Sequence, residues 1–179
     1  MKMKYMWVLF LLGLSSGCVD RHAILANPPE QLVNQVNEIL PLAEKFVIDS
    51  QEEALDKGLP LSLEELEIAK ELGVSSAEKV RVHYVDTLPF PKDPKLANLA
   101  SSLGYSSPSM GAYTYGYGIW MKHREKGFRQ LLAHELIHVR QAEELGLKEQ
   151  TRQYLMQLYI FGYRQAPLEI QAYSESEKY

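Results

Sequence analysis

Residues 128–145 read Phe-Arg-Gln-Leu-Leu-Ala-His-Glu-Leu-Ile-His-Val-Arg-Gln-Ala-Glu-Glu-Leu, and Gly146 follows. Apolar residues recur at three- and four-residue steps and a glycine closes the run, which predicts a helix. Positions four apart share one helical face, so His134 and His138 stand one above the other. Two imidazoles so placed can converge on one Zn²⁺, with each nitrogen about 2.0–2.1 Å from it. Glu135 projects beside that face. It can reach a water activated by the metal without ligating the metal, which is the position of a general base. Leu131 and Ala142 share the histidine face, so the rings are expected to point inward. The competing reading is a pair of core histidines bonded to carboxylates, but stacked rings on an apolar stripe are costly without a metal or partners.

A catalytic zinc site takes three protein ligands and leaves one position open. Of the five histidines, the remaining three are His22, His83 and His123, and none has ligand spacing to the helix. Glu143, Glu144 and Glu149 lie too close along the chain to fold back over His134. Glu169, in the first turn of a helix beginning at Pro167, is the expected third ligand. Its structural alternative is a glutamate favoured there by the helix dipole.

Outward from this helix, an N-terminal region (28–78) reads as helical. Leu32, Val33, Val36, Ile39 and Leu40 recur at helical steps, Pro41 should kink or restart the helix, and 42–55 continue it towards Gly58. Ser62 with Glu65 forms a capping box for a helix ending near Gly73. A domain follows over 79–179. It begins with a strand at 79–85 and a short helix at 96–103. Residues 106–109 read as loop, and 112–121 as a second strand, with Tyr113, Tyr115, Tyr117, Ile119 and Met121 on one face. After the histidine helix come a helix at 149–165 and a last one from Pro167, with a polar tail, 174–179, expected to fray. The fold class is α+β: a helical N-terminal region, then a small domain with a short sheet and an active-site helix.

The chain has 179 residues, 46% apolar and 23% charged, with a net charge of −4. Such a composition excludes wholesale disorder and a multi-span membrane protein, and offers no basic excess for nucleic acid. Residues 1–17 read as an address. Lys2 and Lys4 precede a ten-residue apolar run, too short to span a bilayer, and Ser15, Ser16 and Gly17 lead to the sole cysteine, Cys18. This resembles a bacterial lipoprotein signal, although Ser15 stands where Leu is usual. It implies cleavage before Cys18, a lipid anchor on its sulfur, and a tether over 18–27. Lys2 and Lys4 leave with the leader and no acid does, so the net charge of the remainder becomes more negative, and its anchor is expected to be acyl chains rather than headgroup attraction. Val19 after the cysteine favours the outer membrane of the cell envelope.

The chain also resembles the zincin metallopeptidases in their glutamate-ligand branch. The likeness is to small bacterial proteins sharing a helix Leu-Ala-His-Glu-Leu-x-His-Val-x-Gln, here 132–141. They also share an upstream Thr-x-Gly-x-x-Ile (Thr114, Gly116, Ile119) and a downstream Pro-Leu-Glu-x-x-Ala (Pro167, Leu168, Glu169, Ala172). The resemblance covers about 79–173. It implies His134, His138 and Glu169 as zinc ligands and Glu135 as general base of a peptidase acting on a peptide or protein. Gln171 stands where many relatives carry a second acid. An edge strand beside the active-site helix binds substrate backbone in zincins, which offers Gly116, Gly118 and Ile119 for substrate binding, the alternative being an ordinary tyrosine-rich core strand. Tyr163, Tyr173 and His123 are candidates to stabilise an oxyanion. The alternative function is a non-catalytic envelope lipoprotein whose zinc site is structural or vestigial and whose helical half binds a partner.

Overall fold

The computed structural model describes residues 20–105 and 110–179. The leader, Cys18 and the expected loop at 106–109 lie outside them. The fold is α+β, as expected: helices dominate, around one four-stranded mixed sheet. No helix among the described residues is long and apolar enough to cross a membrane.

The first element of the described residues is α1 (Arg21–Ala26), where a tether was expected. Asp20 caps it by accepting from the backbone of His22 and Ala23. Next, α2 (Glu30–Lys57) runs unbroken through Pro41. Pro41 and Asn37, whose carbonyl loses its partner there, both face solvent. Water can therefore satisfy that carbonyl, while Val36, Ile39 and Ala43 are buried on the other side. Strand β1 (Leu59–Pro60) and helix α3 (Leu63–Glu71) follow. The Ser62–Glu65 capping box forms in both directions, and Gly73 ends the helix region at φ +85°.

Strand β2 (Arg81–Val85) and helix α4 (Pro94–Ser102, capped by Asp93) come next. Residues 112–121 then form a hairpin and not one strand: β3 (Ala112–Tyr115) turns at Gly116 and Tyr117 into β4 (Gly118–Lys122). Gly116 has φ +56°, and among the described residues only glycines have a positive φ. Glycine at the first position of a two-residue turn is the signature of type II′. The sheet order is β1-β2-β4-β3, with β2 and β4 parallel and the other pairs antiparallel.

The hairpin places Tyr115 and Trp120 on one face of the sheet, and Ala112, Ile119 and Met121 on the other. Helix α5 (Arg129–Leu145) packs on the second face. Helix α2 covers the first, where Trp120 Nε1 donates to the Ser50 carbonyl at 2.9 Å. Segments 28–78 and 79–179 therefore share one sheet and a common packing. Gly146 (φ +79°) turns the chain into α6 (Leu147–Phe161), which ends at Gly162, before the expected Gln165. A short 3₁₀ turn leads to α7 (Pro167–Ser176). The tail is docked, not frayed: Arg140 grips Glu175 through two bonds of 2.8 and 2.9 Å, and Tyr179 donates to Glu71.

Candidate metal centre

Helix α5 is buried nearly all round, so its histidines face protein. His134, Glu135, His138 and Glu169 expose only 5%, 4%, 9% and 2% of their surface. Burying four titratable groups is costly unless they pair or hold an ion. The two ring Nε2 atoms lie 3.1 Å apart. Glu169 faces both: Oε2 is 3.3 Å from His134 Nε2, and Oε1 is 3.3 Å from His138 Nε2. These three side chains can together hold a metal ion. Oε2 of Glu169 is buried without a hydrogen-bond partner, a deficit that a cation among these donors would fill.

The first turn of α7 is gripped from two sides. Gln157 on α6 accepts from the Leu168 N–H at 2.9 Å, and Gln141 on α5 donates to the Leu168 carbonyl at 3.0 Å. This fixes where Glu169 leaves the helix. Gln141 also accepts from His138 Nδ1 at 2.7 Å. A proton held on Nδ1 leaves the Nε2 lone pair directed at the ion position. Gln171 bonds to Gln141 and Glu175, and Glu169 is the acidic residue of α7 that clusters with the two rings.

The second carboxylate is held separately. Thr114 on β3 donates to Glu135 Oε2 at 2.6 Å. Burial raises the Glu135 carboxyl above its usual pKa, and the two histidines and the Thr114 bond only partly oppose this. At Glu169 burial acts the same way, but the His138 charge and the nearness of both rings prevail and hold the carboxyl well below the usual range. Burial disfavours charge on His138, yet the Glu169 charge and bond, the Glu135 charge and the Gln141 bond outweigh it and push the imidazole up to about 9.

Several sequence-based expectations for neighbouring residues are corrected. Gly118 and Ile119 lie in β4, an interior strand paired on both sides, and Ile119 is fully buried. A Cβ on Gly118 would lie 2.7 Å from that of Ala54, and one on Gly116 would collide with Gln51. Gly118 thus admits α2, and Gly116 serves the turn at φ +56°. The sheet has two edges, β1 and β3, and β3 is the one that packs beside α5. His123 stacks on Tyr84, outside the metal cluster and its cavity. Tyr163 lines the cavity at the centre, and Tyr173 packs on the His134 ring at 4.5 Å. Tyr154 on α6 donates to Glu169 Oε1 at 2.7 Å. A buried tyrosine hydroxyl demands a partner, and that was the available signal.

No protein-family model matches the chain, and no curated protein or solved structure matches it.

Proposed function

We propose that this protein is a zinc-dependent peptidase of the zincin type, with His134, His138 and Glu169 as ligands and Glu135 as general base. One observation carries the reading: a helical His-Glu-x-x-His meets a glutamate from a later helix, and Glu135 stands beside that cluster, held by Thr114. The donor atoms of His134, His138 and Glu169 lie within 4.8 Å of one another, and two imidazoles with one carboxylate are a donor set that suits zinc.

When bound, zinc polarises a carbonyl and acidifies water. Glu135 in its carboxylate form accepts the proton of the attacking water and returns it to the departing amine nitrogen. Thr114 holds the Glu135 carboxylate, while Gln141 and Tyr154 orient His138 and Glu169. The outer edge of β3 is the place for an extended peptide backbone. We further propose, from residues 1–18, that the enzyme is lipid-anchored at Cys18 in the cell envelope.

Metal analysis joined to a peptide-cleavage assay tests the reading. The expected result is about one zinc per chain and cleavage that disappears with chelator and returns with zinc. Fully zinc-loaded protein that cleaves no peptide would favour the non-catalytic binding module.

A further inference from the structure

A cavity of about 140 Å³ reaches His134, Glu135, His138 and Glu169. Since those four side chains are nearly buried, it is the approach to them. Its walls are hydrocarbon: Phe46 and Val47 from α2, Leu96 and Leu99 from α4, Leu155 and Leu158 from α6. All four residues of β3 line it too. Successive strand residues face opposite sides of a sheet, so one cavity touches all four only by running along the strand's edge. The Tyr115 hydroxyl, on that same strand, is buried without a partner.

We infer that this cavity is a specificity pocket for a bulky apolar side chain of a peptide laid along β3, so that the substrates carry Leu, Ile, Met or Phe beside the scissile bond. The inference rests on the peptidase reading and names its substrate class. A cavity of about 150 Å³ with apolar walls takes up benzene, so a phenyl or branched aliphatic group fits here. A charged side chain would lose its hydration among Leu96, Leu99, Leu155 and Leu158 and gain no partner from them. The polar needs of the peptide backbone fall to the β3 edge and the Tyr115 hydroxyl. Helix α4 is thereby the specificity wall, since Leu99 lines the cavity yet lies outside the metal cluster.

The test uses zinc-loaded full chain and blocked hexapeptides that differ at one central position: Leu, Phe, Asp or Gly. Cleavage is read by mass spectrometry, and binding to the Glu135→Gln variant is read by calorimetry. The Leu and Phe peptides are expected to exceed the Asp peptide by about tenfold or more in both readouts. Leu99→Ala should shift preference towards Phe, and Leu99→Trp towards smaller residues. Cleavage without apolar preference overturns the pocket and leaves the peptidase reading standing. Preferential binding of the Leu peptide without any cleavage upholds the pocket and overturns the peptidase reading. Neither cleavage nor preferential binding overturns both. If the Leu99 variants fail to fold, the comparison among peptides on wild type and Glu135→Gln still decides.

Discussion

Tyr154 donates its phenolic hydrogen to Oε1 of Glu169 at 2.7 Å, tying helix α6 to the carboxylate that completes the metal cluster. Tyr154→Phe removes this bond and little volume. Metal affinity is expected to fall about 10- to 100-fold, the usual cost of losing a partner behind a ligand. Competition against a chelator of known affinity measures it. Unchanged affinity would mean that Tyr154 does not position Glu169.

Metal affinity should depend on pH in a defined direction. The His138 pKa is about 9, so at neutral pH a cation must displace a proton from the ring. Apparent affinity is expected to rise from pH 6.5 towards 9 with proton release, measurable by calorimetry in buffers of different ionisation heat. Chelator-treated protein runs the opposite way. A folded-state pKa above the unfolded value of about 6.5 contributes stability below that pH, and the contribution is lost as pH rises through about 9. Metal affinity that does not change across this window would contradict the assignment.

Gly118 makes room for α2, not for substrate. Gly118→Ala puts a methyl 2.7 Å from the Ala54 Cβ and 3.1 Å from the Gln51 carbonyl. Overpacking of this kind should cost about 1–3 kcal/mol in denaturant unfolding, with peptide preference unchanged. Altered preference at unchanged stability would return Gly118 to the binding surface.

Under the proposed lipid anchor, Cys18→Ser is expected to abolish incorporation of labelled fatty acid and to release the protein from the membrane fraction. Label retained by the variant would reject Cys18 as the lipid site.

Much of the centre was legible because helical spacing is local. His134, Glu135 and His138 follow from a turn of about 100° per residue, and Pro167 announced the helix that carries Glu169. That α7 packs against α5 was not local information. It depends on Gln141 and Gln157 gripping Leu168 from two helices. The hairpin was missed because Tyr-Gly-Tyr-Gly also reads as a weak strand, although the first glycine fits a type II′ turn. Pro41 is tolerated in α2 with the freed Asn37 carbonyl open to water, and exposure is a tertiary property. The cavity was hidden for the same reason: Phe46, Leu99 and Leu155 come from three distant segments.

The most direct measurement is peptide hydrolysis and zinc content of Glu135→Gln beside wild type. Zinc should stay at wild-type content, since Glu135 is not among the clustered donors, and hydrolysis should fall about 100- to 10,000-fold. Hydrolysis at the wild-type rate by the zinc-loaded variant would contradict the account.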